Sequence, residues 1–522
     1  MGWVTFGDMN GAECLLRTLI RNGVELCFMN PGTSEMQFVA ALDRVPEMRG
    51  VLGLQEGVCS GAADGYARML GRPAATLLHL GPGLANGLSN FHNARKARSP
   101  IVNIVGEHST SHLAYDAPLT ADTAGFAKPV SGWVRTLERA DWMGEAAAAA
   151  VAAAAGQVAT LIVPADYSWS EAGEVGPVVA RAARALPTVE SVRAIAAALR
   201  SGERVGLLLG GTALQERGLR AAARLGMRVF ADRYAARTTR GAGVAVAERL
   251  PYFPEPAQAL LAGFERLVLV EARPPVSFFG YPDLRSTLAP VDCAFSVLAA
   301  EGDDGVGALE MLCLEMGVGD AFAVAGRVVP GYRDGEGLTA DCIGRVVAGL
   351  LPEGAIVSEE AVSSAEAIWP HLGGAARHDF LPVTGGSIGQ GMPVGVGAAL
   401  ACQTPSCPDR KVVVLEADGS GMYTPQALWT MARERLDVTV VVLANRRYRI
   451  LDVEMRRTKA GAVGARADRM IDLGDPQPDW VKLAGGIGVE GVRVTTAGEL
   501  AREFGRAMRE RGPLVIEAVM GG

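Results

Sequence analysis

The sequence predicts an α/β protein of three doubly wound parallel-sheet domains. Three observations lead there. Short apolar runs rich in Val, Ile and Leu alternate with helical stretches along the whole chain. Those runs are apolar at nearly every position rather than at every second one, as in strands buried on both faces. The length, 522 residues, exceeds what one hydrophobic core organises, so two to four domains are expected.

In the first block, residues 1–185, strands are read at "VELCFMN", "GVLGLQE", "AATLLHLG", "PIVNIVGE" and "ATLIVPAD". The alanine-rich "GEAAAAAVAAAAGQ", 144–157, reads as a helix because Ala has the highest helix propensity. A proline-bearing change of register near 185 opens a central block, 186–335, with strands at "ERVGLLLGG", "MRVFADRY", "ERLVLVEARPP" and "DCAFSVLAA". The glycine-rich "VPGYRDGEGLTA" leads into a third block, 336–522. Its strands are "AIVSEE", "DFLPVTGG", "KVVVLEADG", "DVTVVVLAN", "EGVRVTT" and "PLVIEAVM".

Composition narrows the function. Hydrophobic residues make up 49% and charged residues 20%, the balance of a globular protein. A net charge of −7 argues against nucleic-acid binding by phosphate attraction. The start has no basic region followed by an apolar core and cleavage site, and no apolar run reaches the ~18 residues that span a bilayer. A soluble, cytoplasmic protein without nucleic-acid or membrane partners is expected. The eight cysteines are scattered, Cys402 and Cys407 being the closest pair, which fits free thiols in a reduced compartment. The six histidines show no metal-ligand spacing.

Two apolar runs end on oxygen-bearing side chains. "KVVVLEA" stops at Asp418 and, 27 residues later, "DVTVVVLAN" stops at Asn445. The helix between them is expected to start with Thr424 as N-cap and Pro425 as first helical residue. A strand–helix–strand crossover brings the two strand ends together, where a carboxylate and an amide oxygen suit Mg²⁺. Gly419 permits close backbone approach, and the helix start offers N–H groups to an anion. By itself "DGS" supports only a turn; Asn445 adds the second ligand.

The stretch "EADGS…LAN" resembles the thiamine-diphosphate signature, Gly-Asp-Gly-Ser followed by Asn-Asn, with Ala417 and Ala444 in place of the usual Gly and first Asn. The resemblance implies thiamine diphosphate and Mg²⁺ as cofactors, with Asp418, Asn445 and the carbonyl of Arg447 as metal ligands. It also implies a pairing with the first block. A carboxyl at Glu56, where a strand is read to close and a helix to open, would have its charged form disfavoured by desolvation. The segment 50–107 is similar to the pyrimidine-binding domain of acetolactate synthases and 2-oxo acid decarboxylases, and Glu56 falls on that family's activating glutamate. In the family this glutamate and the metal site act on one cofactor from different subunits, which implies a homodimer or homotetramer. "GGSIGQGMPVGVGAA" matches a glycine-rich cofactor turn, with Gly386 and Ile388 beside the cofactor. Pro31, Gly32, Ser363, Ser420, Tyr423, Tyr448 and Ile450 are further lining candidates.

"CFMNPGTSEMQF" looks closer to benzoylformate decarboxylase than to biosynthetic acetolactate synthase, which implies that Thr33 offers a hydroxyl to a substrate carboxylate and that His79 falls on that enzyme's active-site histidine. Its second histidine has no counterpart: the comparable stretch holds Phe278, Phe279 and Gly280. His108 and His112 are candidate substitutes. The implied activity is decarboxylation of a 2-oxo acid, the acyl anion then being protonated or ligated to a second carbonyl. An acetolactate-synthase-like carboligase using pyruvate is the alternative, and a non-catalytic cofactor-binding scaffold a third reading. The central domain lacks GxGxxG, and no FAD is expected there.

Overall fold

The protein is described from a computed structural model covering residues 9–180, 182–461 and 463–521. Six strands form the first sheet: β1 (Leu26–Asn30), β2 (Arg49–Leu52), β3 (Ala74–Leu78), β4 (Ile101–Glu107), β5 (Trp133–Thr136) and β6 (Val158–Pro164). Their order is β2-β1-β3-β4-β6-β5, all parallel. Both faces are buried, which is why the strand sequences are apolar at successive positions. Leu26 and Phe28 pack into one cluster, while Cys27 and Met29 pack into another on the opposite face. β5 was not read from the sequence: "WVRT" is a half-exposed edge strand carrying an arginine.

The central sheet holds β7 (Val205–Leu209) and β8 (Arg228–Ala231). The next strand, β9 (Thr238–Arg240), leaves it. β10 (Glu248–Arg249), β11 (Arg266–Val270) and β12 (Ala294–Ala299) complete it in the parallel order β10-β8-β7-β11-β12. The third sheet contains β13 (Ala355–Glu360), β14 (His378–Pro382), β15 (Val412–Ala417), β16 (Val438–Ala444), β17 (Glu490–Val494) and β18 (Leu514–Val519). Its order is β17-β18-β16-β15-β13-β14-β9. β9 is antiparallel to β14, through Thr238 opposite Phe380 and Arg240 opposite His378.

The first and third sheets meet through two helices, α1 (Glu56–Leu70) and, later in the chain, the wholly buried Gly391–Ala401. A Cβ on Gly397 would stand 1.9 Å from the carbonyl oxygen of Ala62, and one on Gly65 would stand 2.2 Å from that of Val394. Backbone approach this close explains the small residues that both segments carry in sequence. Arg68, on α1, pairs with Asp64 at 2.5 Å, both side chains fully buried. It also donates to the carbonyl of Pro382 and the hydroxyl of Thr384, fastening α1 to the end of β14.

Candidate active site

In each outer sheet the strand order reverses beside the first strand of its block, and that reversal opens a crevice at the carboxyl ends. In the first sheet the reversal lies between β1 and β3, so Pro31–Glu35 and His79 face it from adjacent strand ends. In the third it lies between β13 and β15, at Asp418.

Glu56 is buried at the start of α1. β2 stops at Leu52, so Glu56 opens a helix but does not close a strand, correcting the sequence reading. Gln55 is the N-cap, its side chain accepting the Val58 N–H at 3.2 Å. Asn86 donates to Glu56 Oε2 at 3.0 Å from α2 (Leu80–Ala97). A Cβ on Gly83 would lie 3.3 Å from Glu56 Oε1, so the carboxyl sits against the backbone of α2.

His79 precedes α2, and Leu80 adopts φ of 51° to turn the chain there. Its Nδ1 lies 2.8 Å from Glu35 Oε2 and 3.3 Å from the hydroxyl of Ser34. Glu35 is fully buried, and Oε2 also accepts the Gly32 N–H at 2.7 Å, while Oε1 has no partner. Burial pushes the Glu35 carboxyl above the usual carboxylate range, against the pull of His79. A Cβ on Gly32 would overlap the His79 ring, which accounts for the glycine. Thr33 is exposed, and the hydroxyl that reaches His79 is that of Ser34. Glu35 was missed in sequence; the available signal was an acid three residues after Gly32, placed to accept the free N–H at a helix start.

β4 pairs with β3, so the loop after β4 leaves from the same edge as His79. It carries His108 and His112 with ring centroids 5.3 Å apart, and His112 stands 5.8 Å from Tyr115. Nε2 of His108 is buried without a partner.

Asp418 follows β15 and Asn445 follows β16, and the two strands pair in register up to Ala417 opposite Leu443. The Asp418 carboxylate is buried and accepts only main-chain donors, Arg446 N–H at 2.6 Å and Gly419 N–H at 2.9 Å. No ion pair to it forms among the described residues, and burial pushes its carboxyl up to about 6. Asn445 Oδ1 accepts the Arg447 N–H at 2.9 Å. The Arg447 carbonyl accepts from Arg449 at 2.8 Å, which leaves it a lone pair. One uncompensated carboxylate, an amide oxygen and a carbonyl make an all-oxygen donor set that fits Mg²⁺. The Arg447 guanidinium itself is taken by Asp452 and Asp468.

The expected helix start at Thr424 is not found. Asp418–Gly421 makes one helical turn, and the next helix runs Ala427–Arg433 behind Gln426. The Thr424 hydroxyl donates instead to the Gly389 carbonyl at 2.9 Å, a tertiary partner that replaces the local cap. Tyr448 rather than open space is the close neighbour of Gly419, 2.4 Å from its would-be Cβ. Ser420 is buried, whereas Tyr423 is exposed and backs onto Gly389. Gly386 has φ of 77° and lies beneath the ring of Phe278; Ile388 and Ile450 are half-buried. Ser363 lies in the short helical turn after β13.

Glu360 accepts N–H groups from Gly389, Gln390 and Gly391, fixing the glycine-rich turn. Burial still raises its carboxyl to about 7, and it raises the neighbouring Glu416 further, with Glu360's charge adding to the effect. Neither was singled out in sequence. In the central sheet, Glu271 reaches the turn after β7. Glu271 accepts the Thr212 hydroxyl at 2.8 Å and the Ala213 N–H at 2.9 Å, with Arg184 at 3.2 Å.

Residues 9–126 match the N-terminal TPP binding domain of thiamine pyrophosphate enzymes, and residues 369–518 match the C-terminal TPP binding domain. IlvX of Mycobacterium tuberculosis, provisionally described as an acetolactate synthase large subunit, is 49% identical over 98% of this chain and 99% of its own. Benzoylformate decarboxylase of Pseudomonas aeruginosa is 28% identical over 96% of both chains. The solved structure of a Rhodococcus jostii thiamine diphosphate-dependent 4-hydroxybenzoylformate decarboxylase superposes with a TM-score of 0.84 at 24% identity, covering 98% of this chain and 99% of that one. The chain belongs to the thiamine pyrophosphate enzyme family.

Proposed function

We propose that the protein is a thiamine-diphosphate- and Mg²⁺-dependent enzyme that decarboxylates a 2-oxo acid and passes the acyl anion to a proton or to a second carbonyl. The observation that carries this is Asp418, a buried carboxylate that forms no ion pair among the described residues, beside Asn445 on the adjacent strand end. Asp418, Asn445 and the Arg447 carbonyl would hold Mg²⁺, and Gly386, Ile388, Ser420, Tyr448 and Ile450 would line the cofactor. The cofactor would supply a nucleophilic carbon and a sink for the electron pair left when carbon dioxide departs. Glu56 would hold and return a proton at its carboxyl, oriented by Asn86. His79, held through Nδ1 by Glu35, would move a proton at Nε2.

A carboligase reading, with pyruvate as donor, is favoured by the 49% identity to IlvX. Phe278 over Gly386 puts an apolar wall rather than a proton donor beside the glycine-rich turn. We also propose that the working unit is a homodimer or homotetramer with sites shared between copies. Exposed apolar side chains accompany each half: Leu54 lies two residues before Glu56, and Met422 and Tyr423 lie four and five residues after Asp418.

The test is to incubate the holoenzyme with pyruvate and with branched and aromatic 2-oxo acids, measuring carbon dioxide, aldehyde and acyloin separately. Turnover is expected for at least one acid and should fall by about 100-fold or more in Glu56→Gln while cofactor binding persists. Full activity in that variant, or no turnover with cofactor bound, would reject the mechanism.

A further inference from the structure

The helix Gly391–Ala401 ends at Cys402, and the chain folds back to Cys407 before β15. Asp409, at φ of 49°, donates its N–H to the Cys402 carbonyl at 3.2 Å and closes the loop. The two sulfurs lie 3.6 Å apart, both free and 8% and 7% exposed. Arg410 Nη1 lies 3.9 Å from Cys407 Sγ, and its Nη2 donates to Asp379 at 2.6 Å. Asp379 also takes Arg237, which donates to the Met69 carbonyl near the end of α1. Cys407 therefore faces a guanidinium that belongs to the network joining α1 to the third sheet.

The other cysteines are chemically quiet. Burial pushes Cys14 up to about 11 and Cys27 up to about 12, and also raises Cys59, Cys293, Cys313 and Cys342. Cys407 moves the other way, to about 6, because its sulfur shares a hydrogen bond with the Cys402 sulfur and Arg410 stands beside it. Cys402 rises as the proton-holding partner.

We propose that Cys402 and Cys407 form an oxidative modification site, a dithiol that hydrogen peroxide closes into a disulfide with Cys407 as the attacking sulfur. The Cys407 thiolate attacks one peroxide oxygen, the O–O bond breaks, and the departing hydroxide takes a proton to become water. The sulfenic acid left on Cys407 is then attacked by the Cys402 sulfur. The S–S bond forms, the S–O bond breaks, and the hydroxyl leaves with the Cys402 proton as a second water. Two thiols supply the two electrons that reduce one peroxide. The sulfurs need approach by only about 1.5 Å to reach the bonded distance of about 2.05 Å. The reaction leaves Arg410 with Asp379 as its one charged partner in this network.

The test treats the holoenzyme with hydrogen peroxide near neutral pH, then counts thiols after denaturation and maps peptides by mass spectrometry. The eight thiols are expected to fall by two, through a single Cys402–Cys407 link that dithiothreitol reverses. Cys402→Ser should stop at a sulfenic acid on Cys407 that dimedone traps, and Cys407→Ser should lose neither thiol nor trap label at this loop. Retention of all eight thiols, or prior oxidation of any other cysteine, would overturn the proposal, and wild type with Cys402→Ser decides it even if Cys407→Ser does not fold.

Discussion

His79 and Glu35 form a closed pair, the ring nitrogen Nδ1 2.8 Å from a carboxylate oxygen with no solvent exposure. With Nδ1 committed to Glu35, Nε2 is the ring atom left to exchange a proton. Glu35→Gln is expected to lower kcat by about 10- to 100-fold with little change in cofactor affinity. His79→Ala should cost a similar factor, and the double variant little more than either single one, since the two act as a unit. Steady-state kinetics on the three variants checks this; additive losses would separate the roles.

Chelation and Asp418→Ala should have the same consequence. Asp418 has only main-chain donors, so removing either the metal or the carboxylate leaves the remaining oxygens too few to hold a divalent ion. Cofactor titration followed by tryptophan fluorescence is expected to show at least about a 100-fold loss of Mg²⁺-dependent affinity. Unchanged affinity in Asp418→Ala would reject the metal assignment.

Sharing of sites between subunits predicts complementation. Glu56→Gln and Asp418→Ala are each expected to be inactive alone. Unfolded and refolded together, half the dimers are mixed and each mixed dimer regains one intact site, so roughly a quarter of wild-type activity should return. No recovery would place both residues in one site of one chain.

The crossing of α1 with Gly391–Ala401 leaves no room for a side chain. Gly397→Ala would set a methyl 1.9 Å from a backbone oxygen that cannot yield. Its thermal midpoint should fall by several degrees, whereas Gly319→Ala, with open space around it, should be neutral. Differential scanning calorimetry distinguishes them.

His378 is buried on β14 with Nδ1 donating to the Ala376 carbonyl at 2.7 Å and Nε2 unpaired, and burial lowers it from 6.5 to about 4. The unfolded chain takes up this proton before the folded one does. Its contribution to stability is therefore full above 6.5 and is lost as pH falls through the window down to about 4. Thermal unfolding across that window should fall more steeply for wild type than for His378→Gln; parallel curves would refute it.

The outer sheets were legible because most of their strands announce themselves as unbroken apolar runs, and Asp418 and Asn445 were legible as strand-end oxygens because each follows such a run; Glu56 stood out only through the family resemblance, since β2 stops at Leu52 and a helix opens at Glu56. Residues whose roles depend on distant partners were not. Glu35 acquires meaning only when His79, 44 positions later, is brought against it. Thr424 has the local chemistry of an N-cap, but a carbonyl 35 residues upstream claims its hydroxyl. β5 has too few buried apolar residues to stand out, and β9 is three residues long and pairs outside its own block.

That short strand has a practical consequence. Thr238–Arg240 caps the outer edge of β14, so cutting the chain at the sequence boundary near 335 would strip a seven-stranded sheet of its last strand. An isolated C-terminal fragment would then present the bare N–H and C=O groups of β14 to its neighbours, an open template for intermolecular pairing. Such a fragment is expected to aggregate unless residues 238–240 are restored to it, and the remedy is a strand, not a solubilising tag.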